Sequence, residues 1–182
     1  MSKSSVNPSK AIVSIQLRSE QETCDLAKKL ALALQTFFLK NPSASLHIDL
    51  IGDLGAGKTT LTRYLLNALG HQGKVKSPTY ALCEPYQISL KRDSSIDFLS
   101  VHHFDLYRMT YAKEWIDAGF RDAFSEPGIC LVEWPEKAEG TLSVTDLTIQ
   151  LSANPDDEQS RLATLMGSTQ SGHELMNLME SS

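Results

Sequence analysis

The sequence is poor in cysteine, in net positive charge and in long apolar runs. Cys24, Cys83 and Cys130 are the only cysteines; they are odd in number, widely spaced and form no Cys-x-x-Cys pair. That pattern argues against a disulfide framework or a zinc site, and reduced, buried thiols of a cytoplasmic protein are the expectation. The formal net charge is -5. A broad cationic surface wrapping nucleic acid does not fit it, and no DNA partner is expected; a local basic patch, or a partner that carries RNA contacts, remains compatible. The most apolar stretch, Leu30 to Leu39, is interrupted by Gln35. It is about half the roughly twenty residues that a membrane-spanning helix requires. Residues 1–10 are polar and Ser-rich, with no apolar run before a small-residue cleavage site, so disorder and no signal peptide are expected there.

What is present is an ordinary globular composition on 182 residues, long enough for one domain with a core that needs no covalent staple. We expect a domain over residues 11–167 and a tail over 168–182 holding a weak helix. Ala11 to Leu17 reads as a strand. Ser19 and Glu22 form a Ser-x-x-Glu capping box, and Leu26, Leu30, Ala33, Leu34 and Phe37 then recur at helical spacing. Asn41-Pro42-Ser43 ends that helix. Leu46 to Ile51 reads as a buried parallel strand, broken only by His47 and Asp49. A helix from Thr59 to Leu69 follows, closed by Gly70. A strand from about Tyr80 to Ile88 and a return strand from Phe98 to Phe104 flank the polar segment Ser89 to Ser95, which reads as a turn or insertion. Helical stretches are expected over Tyr111 to Ala118 and Phe120 to Phe124. Ile129 to Val132 is a buried strand, and 146–151 and 161–166 read as a closing hairpin.

Between the second strand and its helix lies Gly52-Asp53-Leu54-Gly55-Ala56-Gly57-Lys58-Thr59. This satisfies Gly-x-x-x-x-Gly-Lys-Ser/Thr, with a strand before it and a helix after it. Successive backbone N–H groups of such a loop turn inward around phosphate oxygens, glycines supply the positive-φ conformations, and the helix dipole adds to the attraction. Lys58 can reach the β- and γ-phosphates, and Thr59 can give a hydroxyl to Mg²⁺. A bound Mg-ATP on this loop is the primary functional expectation.

A phosphate loop needs acidic partners, and two carboxylates stand where apolar strands end: Asp105 after Phe98 to Phe104, and Glu133 after Ile129 to Val132. In open α/β sheets ligands bind at the carboxyl ends of strands. Ser77-Pro78-Thr79 fits either a switch threonine that senses the γ-phosphate or an ordinary Pro turn. His102 and His103 point to opposite faces of a strand and read as structural. Trp115 reads as packing; Trp134, between Glu133 and Pro135, stays open as a binding residue.

The run from Gly52 to Leu61, then Ser77-Pro78-Thr79-Tyr80, His103-Phe104-Asp105-Leu106-Tyr107-Arg108 and Leu131-Val132-Glu133-Trp134-Pro135-Glu136-Lys137, resembles the TsaE (YjeE) family over roughly residues 20–152. The resemblance implies an α/β P-loop NTPase fold, a mixed sheet between helices in three layers. It implies Mg-ATP binding and slow, partner-dependent ATP hydrolysis. It also implies work with the partner proteins TsaB and TsaD, which transfer threonylcarbamoyl to an adenosine of tRNAs reading ANN codons, with tRNA met indirectly through that complex. Carried across by motif, the nucleotide would be held by Asp53, Leu54, Gly55, Ala56, Gly57, Lys58, Thr59, Thr60, Thr79 and Trp134. Mg²⁺ would be held by Thr59, Asp105 and Glu133, and catalysis would rest on Glu133 and Lys58. The segments 89–95 and 154–182 match no motif of the family. A small-molecule kinase usually adds an Arg-rich lid, but only Lys137 follows Glu133 closely. A guanine-reading GTPase would carry Asn-Lys-x-Asp, but the nearest string is Asn154-Pro155-Asp156-Asp157.

Overall fold

The computed structural model describes residues 12–92, 95–154 and 157–181. The expected disorder of residues 1–10 lies outside that range. The elements in chain order are β1 (Ile12–Leu17), α1 (Glu20–Lys40), β2 (Ser45–Ile51), α2 (Lys58–Leu69), β3 (Cys83–Arg92), β4 (Ser95–Asp105), α3 (Glu114–Asp117), β5 (Gly128–Glu133), β6 (Leu147–Asn154), β7 (Asp157–Gly167) and α4 (Gln170–Glu180). Short 3-10 turns occupy Asp122–Phe124 and Pro135–Ala138.

All seven strands form one mixed sheet in the order β1-β7-β6-β2-β5-β4-β3. The centre, β6-β2-β5-β4, is parallel, and antiparallel pairs close both edges. The sequence explains this division. Every residue of β5 is buried, as a strand covered on both faces must be. Pro85 sits in β3, the edge strand, where a missing N–H breaks no ladder.

One face carries α1, α2 and α4. Leu30, Leu34 and Phe37 of α1 and Leu61, Leu65 and Leu66 of α2 pack on Leu46, Ile48, Leu50, Leu131 and Ile149. The other face is covered around β4 and β5 by the chain from Leu106 to Leu142, through Met109, Trp115 and Ala138 against Phe104, Cys130 and Val132. The mixed sheet flanked by layers on both faces agrees with the fold read from the sequence.

Ser19 caps α1 as the Ser-x-x-Glu pattern requires: its Oγ accepts from Glu22 N at 3.3 Å, and Glu22 returns to Arg18 N at 2.8 Å. Several segments differ from expectation; the helix expected over Phe120 to Phe124 is a 3-10 turn at Asp122–Phe124, and the strand expected from Tyr80 begins at Cys83. The polar stretch 89–95 is strand rather than turn up to Arg92 and again from Ser95, because pairing such as Ile88 with Leu99 and Leu90 with Asp97 extends the hairpin beyond the apolar run. The helix expected over Tyr111–Ala118 shrinks to Glu114–Asp117, with Thr110 bonded to Glu114 through both N and Oγ1, and Gly119 (φ 87°) following it. The segment after 167 is a packed helix: Thr169 accepts from Gly172 N at 3.1 Å, and Leu175, Met176 and Met179 of α4 are buried against α1 and β7. Gly172 is required there, since a Cβ would stand 1.9 Å from Asp146 O.

All three cysteines are free thiols. Cys83 and Cys130 are buried, and burial pushes both up to about 12. Cys24 corrects the expectation of uniform burial: on α1 it is only half-buried, because it lies off the stripe of Leu26, Leu30 and Leu34.

Candidate functional site

The parallel strands β2, β4 and β5 end at the same edge of the sheet. β2 runs into the glycine loop, β4 ends on Asp105 and β5 ends on Glu133. The register pairs Asp105 directly with Glu133. Strand alternation then puts His103, Asp105 and Glu133 on the face that carries α2, since Val101 and Leu131 on the same parity belong to that core.

The loop geometry depends on glycine at two positions. Gly52 has φ 150°, and a Cβ on it would stand 2.3 Å from Leu151 O of β6. Gly57 has φ 106° and forms the left-handed N-cap of α2, where Leu61 N bonds to Gly57 O at 2.9 Å. The α2 N-terminus starts directly at the loop, and the positive end of its dipole favours an anion there.

Lys58 is buried beneath this loop. Its Nζ donates to Gly52 O and, at 3.0 Å, to Asp53 O. The same ammonium lies 3.8 Å from the centre of the Trp134 ring. Burial lowers its pKa below the usual lysine range, while Glu133, Glu136, Asp105 and Asp53 oppose that shift. Trp134 reaches it because its backbone is left-handed (φ 61°, ψ 48°). A bulky residue in that region costs of order 1–3 kcal/mol, and the strained turn folds the indole back over the loop directly after Glu133. Tyr107 packs on the indole at 4.9 Å, and Lys137 lies 5.8 Å from the Tyr107 ring.

Thr59 Oγ1 donates to Glu133 Oε2 at 2.9 Å, tying the start of α2 to the end of β5. Glu133 Oε1 is 2.8 Å from His103 Nε2. Asp105 is held separately: Oδ1 accepts from Tyr107 N at 3.0 Å, and Oδ2 accepts from Thr79 Oγ1 at 2.9 Å and from Ser77 Oγ. The loop Ser77-Pro78-Thr79 is thus fastened to the carboxylate at the end of β4.

Of the residues expected at the site, Leu54, Gly55, Gly57, Lys58, Thr59, Thr60, Thr79, Asp105, Glu133 and Trp134 line one cleft of about 340 Å³. Asp53 faces solvent and contributes its carbonyl to Lys58. Ala56 is buried and lines a second cleft of about 470 Å³, which continues from Gly55, Gly57 and Thr60 towards Glu20, Thr23, Leu151 and Arg161. Arg161 Nε donates to Ala56 O at 3.2 Å, so β7 supports the loop from behind. Arg63, Lys74 and Lys76 gather at a third cleft beside Thr59 and Ser77, a local basic patch on an acidic chain.

Sequence reasoning missed two groups. His103, read as structural, contacts Glu133; the strand-alternation argument that separated it from His102 also puts it on the face of Asp105, and that was the usable signal. Glu20, Thr23, Leu151 and Arg161 carried none, because they come from α1, β6 and β7, distant in sequence from the loop. Trp115 is buried as expected, its Nε1 bonded to Thr141 Oγ1 at 2.9 Å.

A metal at this site would meet hard oxygen donors. Asp105, Glu133 and the Thr59 hydroxyl, which donates its hydrogen to Glu133 and keeps its lone pairs, are the donor types that Mg²⁺ takes. No group of three or more His, Cys, Asp or Glu side chains placed to hold a metal alone occurs among the described residues. The donor set therefore fits a Mg²⁺ that arrives with phosphate oxygens completing its shell.

The comparisons with known proteins agree with this geometry. The family model described as "Threonylcarbamoyl adenosine biosynthesis protein TsaE" matches residues 17–162. The chain is 47% identical over 109 residues to the tRNA threonylcarbamoyladenosine biosynthesis protein TsaE of Haemophilus influenzae, spanning 60% of this chain and 64% of that relative. It is 34% identical over 137 residues to the protein of the same name from Bacillus subtilis, spanning 75% of this chain and 79% of that one. The crystal structure of Bacillus subtilis YdiB superposes with a TM-score of 0.71 at 26% identity, covering 95% of this chain and 97% of that chain. With a P-loop NTPase fold, the glycine loop set against Asp105 and Glu133, and a family match over most of its length, the chain belongs to the TsaE family.

Proposed function

We propose that this protein binds Mg-ATP on the loop Gly52 to Thr59 and hydrolyses it slowly, as the ATPase component of the machinery that forms threonylcarbamoyladenosine in tRNAs reading ANN codons. It acts in the cytoplasm and drives turnover of a TsaB–TsaD pair, meeting tRNA through that complex. The domain carrying this activity is residues 11–167, with α4 packed onto it. One observation carries the reading: Glu133, buried at the end of a parallel strand, is bonded to the phosphate-loop Thr59 and lies in one cleft with Lys58 and Asp105.

Each side chain has a defined task in this reading. Lys58 leaves the carbonyls of Gly52 and Asp53 for the β- and γ-phosphates, a stronger charge-assisted contact. Thr59, Asp105 and Glu133 would hold Mg²⁺. When bound, Mg²⁺ neutralises charge on the phosphate oxygens. Glu133 orients the attacking water and accepts its proton as the water oxygen bonds to the γ-phosphorus and the bond to the β-phosphate oxygen breaks, giving ADP and phosphate. Thr79, bonded to Asp105, senses whether the γ-phosphate is present. Trp134 covers the phosphates from the Lys58 side, and the nucleoside extends past Thr60 into the cleft of Glu20 and Arg161.

The deciding experiment measures ATP hydrolysis by the purified chain, alone and with TsaB and TsaD. Slow hydrolysis that rises with the pair supports the proposal. Tight ATP binding with no stimulation leaves a nucleotide site and removes the partner-driven role.

A further inference from the structure

His103 is the one wholly buried ionisable side chain at the site to which the family motif assigns no role, and its surroundings do not explain it as packing. On its face of β4 the preceding residues are Leu99 and Val101, and both join the apolar core beneath α1 and α2. A third aliphatic side chain would continue that stripe. An imidazole stands there instead, fully buried, with Nδ1 lacking a hydrogen-bond partner among the described residues. A buried polar atom left without a partner costs about 1–3 kcal/mol, so the contact made by the other nitrogen has to matter.

That contact is with Glu133. The register sets His103 opposite Leu131, with Asp105 opposite Glu133, so the imidazole reaches along the strands to the carboxylate. Nε2 is 2.8 Å from Oε1, and an ionised carboxylate only accepts; Nε2 therefore carries the hydrogen of this bond. With Thr59 Oγ1 on Oε2 at 2.9 Å, the carboxylate is gripped at both oxygens. The last torsion of a glutamate is otherwise broad. The two grips differ in kind: Thr59 sits at the end of the phosphate loop, whereas His103 sits on the sheet.

We propose that His103 is a positioning residue for ATP hydrolysis: its Nε2–H fixes the plane of the Glu133 carboxylate so that the remaining lone pairs face the attacking water. This rests on the assignment of Glu133 as the group that activates that water. His103 touches neither nucleotide nor water, and it acts through Glu133 alone.

A matched pair of variants separates positioning from packing. In His103→Gln the amide nitrogen stands near the place of Nε2 and can still donate to Glu133. In His103→Asn it stands near the place of Nδ1 and falls short. The two are similarly polar, so folding penalties largely cancel, and thermal unfolding of each checks this. Single-turnover ATP hydrolysis and ATP affinity would be measured on the full chain, alone and with TsaB and TsaD. The expected result is a rate about tenfold or more lower in the Asn variant with ATP affinity within about twofold of the parent, and recovery of most of that loss in the Gln variant. Equal rates in the two variants, or losses of rate that track lost affinity or lost folded protein, would overturn the proposal. Glu133→Gln serves as the control: if it hydrolyses ATP at the parent rate, the catalytic reading of Glu133 fails and takes this inference with it. A slow Glu133→Gln beside an unimpaired His103→Asn removes His103 alone.

Discussion

Two buried histidine–carboxylate pairs occupy opposite faces of the sheet, and they differ in what surrounds them. His103 and Glu133 approach to 2.8 Å on the face of α2; His47 and Asp49 approach to 2.8 Å on the other face, beside Phe124. Burial is similar, but His103 Nε2 and Glu133 Oε1 share a hydrogen bond, whereas His47 Nε2 and Asp49 Oδ1, equally close, find no hydrogen-bond partner among the described residues. Their neighbours differ as well. Glu133 closes β5, bonds to the phosphate loop and opens onto a cleft. Asp49 lies two residues inside the end of β2, where its Oδ2 accepts from Thr145 Oγ1 at 2.5 Å, and His47 Nδ1 meets Ser143 Oγ at 3.1 Å. The adjacent Asp146 accepts from His47 N and from Thr169, the N-cap of α4. This second cluster staples the chain after Ala138 to the sheet. The two carboxylates differ in position along their strands: Glu133, at the end of β5, lines the cleft, whereas Asp49, inside β2, is bonded to Thr145.

The comparison can be tested by substitution. The largest effect is expected from Glu133→Gln, which should slow ATP hydrolysis about a hundredfold or more with ATP affinity nearly unchanged, read from single-turnover rates beside equilibrium binding. Equal loss of both would make Glu133 a fastening like Asp49. Lys58→Ala should weaken ATP about tenfold to a hundredfold in a binding titration, since it removes a charged donor to phosphate; unchanged affinity would move the nucleotide off this loop.

Asp49→Ala should do the reverse of Glu133→Gln. Chemical denaturation should show a loss of about 1–3 kcal/mol, because Thr145 Oγ1 loses its acceptor and the His47 ring its neighbouring carboxylate, with hydrolysis per folded molecule unaffected. A rate loss comparable to that of Glu133→Gln would erase the distinction between the two faces. Alkaline pH offers a finer test. Burial lowers the Lys58 pKa, so its ammonium loses its proton at a lower pH than an ordinary lysine. ATP affinity should therefore decline as pH rises, beginning below the usual lysine range, and the decline should vanish in Lys58→Ala. The smallest effect concerns thiols: at neutral pH a disulfide reagent should modify Cys24 well before Cys83 or Cys130, whose burial pushes both up to about 12.

Much of the site was legible because its parts are local. The glycine loop declares itself by spacing, and the strand before it and helix after it follow from short-range periodicity. Asp105 and Glu133 were visible as acids at the ends of apolar runs. Arg161 was not: nothing in β7 marks one arginine as the support for a carbonyl more than a hundred residues earlier. The hairpin β3–β4 extended past its apolar run because cross-strand pairing outweighs local polarity.

The sequence by itself determined where phosphate can bind, since Gly52 and Gly57 permit backbone angles that other residues avoid, and it determined which face of each strand a residue occupies, since side chains alternate with period two. Only the tertiary structure decided which acids share the phosphate loop's volume. Parallel pairing of β2, β5 and β4 brings three chain segments to one sheet edge, and register sets Asp105 against Glu133. It also decided which histidine lies against the cleft, because two pairs of like composition and equal separation differ in their hydrogen bonding and in what the fold packs beside them.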